Sequence, residues 1–178
     1  TWAELLEDVT ALKAAGITPI AVGEGDKWPG HFWFAYLSTR ICGKAGFEAA
    51  ALRTGSFADP CFIEAGNKIL ELNALEPFQD GYLAATYGDE ATAAGTGKAA
   101  MELMGQWAPA VQKDNSEDKQ GIGDKLAWFP FPAVEGGAGA PGDVPGAWQG
   151  RDARGRHRHR TRWPVTGSRR PALSARRP

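Results

Sequence analysis

Lysine is absent from the last 28 residues of this chain, and so are glutamate, asparagine, isoleucine, phenylalanine, tyrosine and methionine. Ten of the 20 Lys and Arg residues lie in 151–178, all of them Arg, against a single acid, Asp152. Residues 1–150 hold 20 of the 21 acidic residues, so the formal net charge of −1 joins a piece near −10 to a tail near +9. A basic nucleic-acid arm normally mixes Lys with Arg. The tail's bias toward Arg, Gly, Ala and Pro is that of a GC-rich gene read out of frame, and a change of reading frame is expected between about Pro145 and Arg151. The alternatives are a disordered basic tail and an Arg surface for nucleic acid or another anionic partner.

Other scarcities exclude whole classes of chemistry. Cys42 and Cys61 are the only cysteines, and their spacing matches no close-set metal or redox pair. His157 and His159 sit among arginines, whose charge disfavours a further cation, so no metal site is expected. No apolar run is long enough to span a bilayer. With no Gly-rich phosphate loop and no nucleophile elbow, no cofactor is expected either. The chain opens at Thr1 with neither an initiator Met nor a signal segment, and it reads as a fragment.

What is present alternates between helical and strand periods. Thr1 with Glu4 three residues on has the capping-box pattern, and Leu5, Leu6, Val9 and Leu12 follow at helical spacing up to Gly16. Residues 17–22 form a short apolar run, predicted as a buried strand that opens into Gly23-Glu24-Gly25-Asp26-Lys27-Trp28-Pro29. Phe32, Trp33, Tyr36, Leu37 and Ile41 predict a helix ending before Gly43, and residues 45–52 a second. Asp59-Pro60 predicts a third, with an N-cap acid ahead of Pro at its first position. No regular structure is assigned to 78–83. Residues 86–94 read as a helix with Asp89 at its start, 99–104 as a strand, 107–112 as a helix, and 126–131 as an aromatic strand broken by Pro130. The order of helices and strands places the chain in the α/β class.

The run Gly97-Lys98-Ala99-Ala100-Met101-Glu102-Leu103-Met104-Gly105-Gln106-Trp107-Ala108 brings an indole to the end of the strand at 99–104. Such a ring suits either a core position or a cleft wall, where it offers a sugar's C–H face an apolar surface at little entropic cost. The run resembles the GKAAM-x-x-x-G-x-W element of extracellular solute-binding proteins of the sugar-binding, maltose-binding-protein-like type. Other stretches resemble the same family in order along about residues 1–146. They are Thr1-Trp2-Ala3-Glu4-Leu5-Leu6, Leu12-Lys13-Ala14-Ala15-Gly16-Ile17-Thr18-Pro19-Ile20-Ala21, Trp28-Pro29, Gly55-Ser56-Phe57-Ala58-Asp59-Pro60 and Trp128-Phe129-Pro130-Phe131-Pro132. The family shows a large apolar residue before its Gly-Lys pair where this chain has Ala94-Gly95-Thr96, which implies looser packing there.

The resemblance implies an α/β fold of the type II periplasmic-binding-protein kind, built of two lobes. Residues 1–125 are expected to be most of the second lobe, 126–146 a hinge-return strand toward the first, and 147–178 a disordered, aberrant tail. It implies non-catalytic oligosaccharide binding for ABC-type sugar import, with lobes that close on the ligand and dock on permease subunits. It further implies a monomer, no nucleic-acid partner, and an extracellular, cell-surface or periplasmic location, with membrane attachment only through a lipoprotein anchor ahead of Thr1. A lone lobe is expected to bind weakly or not at all. Trp107 is carried over as the residue that stacks on the ligand. Trp28 and then Trp33 are the further aromatic candidates, with Glu24 and Asp26 as acceptors for sugar hydroxyls. In an exported protein Cys42 and Cys61 can close a disulfide loop worth roughly 3 kcal/mol, or remain two buried thiols. The catalytic alternative is a glycoside hydrolase using Asp26 with Asp89 or Glu90 as acid and nucleophile.

The coding DNA tests the frame change. One of the two other frames downstream of Pro145 is expected to restore an amphipathic α/β pattern; if neither does, the tail is authentic.

Overall fold

Thr1 begins the first helix as its spacing from Glu4 dictates. Its hydroxyl accepts from the Glu4 backbone N–H at 3.2 Å, and the Glu4 carboxylate returns to the terminal amine at 2.6 Å, so α1 runs Trp2–Ala14. These features belong to a computed structural model that describes residues 1–145. The tail expected at 147–178 and its frame change lie outside the described residues.

Two short parallel strands form the sheet. β1 (Thr18–Ala21) pairs with β2 (Ala99–Glu102), with Thr18 opposite Ala99 and Ile20 opposite Met101. Phe78 adds an isolated parallel bridge to Ile20. Beyond it, the Gln79 side chain takes over from backbone, accepting from Val22 N at 3.0 Å and donating to Val22 O at 2.7 Å. Both strands therefore deliver their carboxyl ends to one edge, the place where open α/β sheets gather ligands.

α2 spans His31–Ala51, with a break inside it rather than the gap expected between two helices. Gly43, at φ 68°, is the break, and an L side chain there would be strained as well as crowded against Ala138, whose carbonyl lies 3.1 Å from the Cβ position. Cys42 is joined to Cys61 with a Cα–Cα distance of 5.2 Å, which ties the break to the start of α3 (Pro60–Asn73). Asp59 occupies the N-cap position of α3, yet its carboxylate accepts from Ser56 N at 3.1 Å and not from the helix. α4 (Tyr87–Gly95) begins with a capping box in which Thr86 is the cap and Asp89 its partner, so Asp89 sits inside the helix and not at its start.

Packing between α4 and α5 (Ala108–Asn115) is tight where looser packing is expected. A Cβ on Gly95 would lie 2.5 Å from the Gln112 carbonyl oxygen, so the absence of a large residue lets the two backbones touch. Ala91 and Ala94 are buried on the same helix.

The core runs from α1 through β1 to α2 and α3, using Trp2, Leu5, Val9, Ile20, Leu37 and Leu72. Its remaining wall comes from the return stretch at 126–134. That stretch forms no strand, contrary to the expectation for 126–131, because Pro130 and Pro132 lack the N–H a ladder needs. Phe131 is nonetheless buried, stacked on Tyr36 at 5.0 Å and set edge-on to Trp33 at 5.8 Å. A side chain supplies what a sheet would have given. Arg40, 1% exposed, donates to Phe131 O at 3.0 Å, Pro132 O at 3.2 Å, Pro141 O at 2.8 Å and Asp143 O at 2.6 Å.

Arg40→Met keeps the stem's volume and strands four carbonyls. It is expected to lower the unfolding free energy by about 3 kcal/mol, read as a lower urea midpoint at unchanged slope.

Candidate functional site

The loop after β1 is held from both sides before any ligand is considered. Gly25 N donates to Ala85 O at 2.8 Å and Glu24 N to Tyr82 O at 3.0 Å, so residues 23–26 lie along the segment that leads into α4. Asp26 Oδ2 accepts from Tyr87 N at 2.8 Å, tying the loop to the first residue of that helix. Trp28 follows, 37% exposed, with its ring edge-on to Tyr87 at 4.8 Å and to Phe32 at 6.0 Å. His31 Nδ1 is hydrogen bonded to Trp28 O, which fixes the turn into α2.

The second strand end contributes the other ring. Trp107, 45% exposed, stands at the N-cap of α5 and lies over Gly105, where a Cβ would come 2.2 Å from the indole. Glycine is what the G-x-W spacing requires there. Trp107 is 6.4 Å from Phe32, so Trp28, Phe32, Tyr87 and Trp107 form one aromatic wall drawn from two strand ends and two helix starts.

Carboxylates gather beside this wall. Glu90, fully buried on α4, accepts from Gly23 N at 2.8 Å. Burial, then the charge of Glu102 and that of Glu24, push its pKa up to about 8, against the Gly23 hydrogen bond. Glu102, the last residue of β2, accepts from Gln112 Nε2 at 2.6 Å, and burial raises it despite that bond. Burial also pushes the Tyr87 phenol up to about 12, helped by Glu102 and opposed by the neighbouring Trp107 side chain. The Tyr87 hydroxyl has the Trp107 side chain as its neighbour, whereas no hydrogen bond satisfies Glu24 Oε1 or Glu102 Oε2, both buried. Buried acceptors without partners are rare in folded proteins, and a ligand's hydroxyls would satisfy them.

The residues expected from the sequence divide accordingly. Trp107 and Trp28 come together through Phe32 and Tyr87, and Glu24 lies among the carboxylates. Asp26 accepts from the Tyr87 backbone through Oδ2, which shapes the loop, and it remains exposed to solvent. Trp33 is a correction: 7% exposed and packed against Phe78 and Phe131, it is core. Tyr87, Glu102 and Gln112 went unread. Glu102 had a legible signal, since it ends the strand inside the Gly97–Ala108 run. A separate open hollow of about 930 Å³ lies between β2, α5 and the 126–132 stretch. Glu102 and Gln112 reach it, but Trp28, Tyr87 and Trp107 do not, and its walls are mostly apolar.

Among the described residues no group of acids, cysteines and histidines is arranged to hold a metal, and no helix is long and apolar enough to cross a membrane. A family model described as bacterial extracellular solute-binding protein matches residues 1–151. The chain belongs to this family. A structure from work on xylan utilization by the thermophilic bacterium Caldanaerobius polysaccharolyticus is similar at TM-score 0.73 and 28% identity, covering 79% of this chain and 36% of its own. A chitin oligosaccharide binding protein is similar at TM-score 0.67 and 29% identity, covering 76% and 34%. An uncharacterized ABC transporter extracellular-binding protein of Pyrococcus horikoshii is 31% identical over 99 residues, 54% of this chain and 22% of the relative. The chain thus spans between about a fifth and a third of these relatives, and its fold is that of the periplasmic solute-binding proteins.

Glu90 gives this chain a pH signature. Its folded pKa lies above the ordinary carboxyl value, so folding favours the protonated form, and the stability present below about 4.5 is lost as pH rises through about 8. Glu90→Gln keeps an acceptor for Gly23 N and removes the charge. Thermal melts from pH 5 to 9 are expected to show the variant gaining on the wild type as pH rises; parallel curves would refute the assignment.

Proposed function

We propose that this chain is the sugar-contacting part of a carbohydrate receptor for ABC-type import, with Trp28 and Trp107 stacking on the ligand. The observation that carries this reading is the aromatic wall with unpartnered acceptors beside it. A pyranose has apolar faces and a rim of hydroxyls, and this wall offers flat rings for the first and carboxylate oxygens for the second. The relatives described as acting in xylan utilization and in chitin oligosaccharide binding support a saccharide ligand. Several rings in a row suit an oligosaccharide better than a single sugar.

In the proposed organisation, residues 1–125 belong to the second lobe, and 126–145 lead back toward a first lobe that closes over the ligand. Closure is a shift between open and closed states, driven by contacts the ligand makes only in the closed one. A permease partner, an extracellular or periplasmic location and a monomeric state belong to the same reading. The protein is non-catalytic. Of the acids a glycosidase would use, Asp26 has one oxygen bonded to Tyr87 N, Asp89 serves the Thr86 capping box and Glu90 is buried against Gly23 N.

Tryptophan fluorescence of the 178-residue chain tests this. Neutral oligosaccharides are expected to shift or quench the emission with millimolar affinity, and Trp107→Ala to weaken the response about tenfold, the equivalent of roughly 1.4 kcal/mol of stacking. Micromolar binding by calorimetry would contradict the need for a second lobe. Release of reducing ends from the sugar would contradict the non-catalytic reading.

A further inference from the structure

None of the five polar side chains gathered at the aromatic wall carries a positive charge. They are Glu24, Glu90, Glu102, Tyr87 and Gln112, and the one basic side chain of the Trp28 loop besides His31, Lys27, is exposed to solvent. His31 is engaged by the Trp28 carbonyl. Arg40, the buried cation of this unit, is spent on the carbonyls of 131–143.

Such a lining has a consequence for the ligand. An ionised carboxylate accepts hydrogen bonds and donates none, so the free oxygens of Glu24 and Glu102 are satisfied by a hydroxyl or an ammonium group. A carboxylate brought to the same place meets like charge without a basic partner, in a setting that water screens poorly. Tyr87 adds no anion-binding strength, because a single phenol beside the Glu102 carboxylate cannot offset its charge.

We propose that the site selects its saccharide by charge, taking neutral and amino sugars and rejecting those that carry a uronic acid. This rests on the reading of Trp28 and Trp107 as sugar-stacking rings and narrows it to a substrate class. The shape of the wall admits all three kinds of sugar, since each presents similar C–H faces to the rings. Discrimination comes from the acidic neighbours alone.

Three β-1,4-linked trisaccharides of equal length test the proposal, one neutral, one with a terminal uronic acid and one with free amines. Each is titrated against the 178-residue chain at pH 7 and low salt, with tryptophan fluorescence as the readout. The neutral and amino sugars are expected to saturate the signal, and the uronate to bind at least about tenfold more weakly. Raising the salt to about 0.5 M is expected to narrow that gap only slightly, because charges shielded from water are screened little by added salt. Glu102→Gln is expected to narrow it at low salt. A uronate that binds as well as the neutral sugar overturns the charge proposal and leaves stacking intact. A gap that Glu102→Gln does not narrow overturns it too, because the cause would then be shape. No response to any of the three overturns the stacking reading, and this proposal with it.

Discussion

The wall that closes the core is held by a guanidinium. Residues 130–141 carry Pro130, Pro132 and Pro141, so the stretch cannot join a ladder and its carbonyls need another donor. Arg40 presents a rigid fork of N–H groups that meets four of them at once. Burial works against its charge, and Tyr36 and Asp143 work for it. The result is that Phe131 reaches the core between Trp2, Tyr36 and Trp33. Without that anchor, Trp33 and Tyr36 would lose the ring packed on them, and α2 the partner against which its first half is set.

The site depends on this frame indirectly. α2 starts at His31 directly after the Trp28 loop, so whatever fixes α2 fixes one end of the loop that holds the ring. The other end is fixed by β1 and by the backbone bonds from Gly25 and Glu24 to the segment before α4. Within this rigid setting the carboxylates are poorly served: Glu90 has one strong donor, Glu102 has Gln112, and Glu24 Oε1 has none. A chain selected only for stability would not bury three acids together. Under the proposed reading, the cost is offset when sugar hydroxyls reach the free oxygens.

Much of the fold was legible because its signals are local. The Thr1–Glu4 box, the Pro60 start, the apolar run of β1 and the helical stripe from Phe32 to Ile41 each specify an element within a few residues. The failures are all tertiary. Residues 126–131 have a strand's composition, and only the absence of a partner for a proline-broken edge tells otherwise. Trp33 has the chemistry of a ligand contact and the periodicity of a core residue, and packing decided for the core. Gly95 looked like a missing apolar contact, yet the missing side chain is what brings α5 against α4. The pairing of Cys42 with Cys61 was open for the same reason, since only the fold brings the two Cα atoms within 5.2 Å. At the site, Trp107 and Trp28 were legible from their places at strand ends. Tyr87 was not, because its relevance comes from Asp26 anchoring the loop to α4.

The two faces of the site imply how it works. Trp28 and Trp107 are each more than a third exposed, so their rings have surface left uncovered. A ligand laid on them from one side buries one of its own faces and leaves the other in water. Its gain from apolar contact is then limited to half of what enclosure would give. The free oxygens of Glu24 and Glu102 differ from the rings, because they are already buried without a partner, so a hydrogen bond to them would be worth more than one in water. Under the proposed reading, the exposed ring faces are covered by the arrival of a second wall that excludes solvent. On the two-lobe reading, the return stretch clamped by Arg40 leads toward that wall, so the residue that closes the core also sets the direction from which the site is covered.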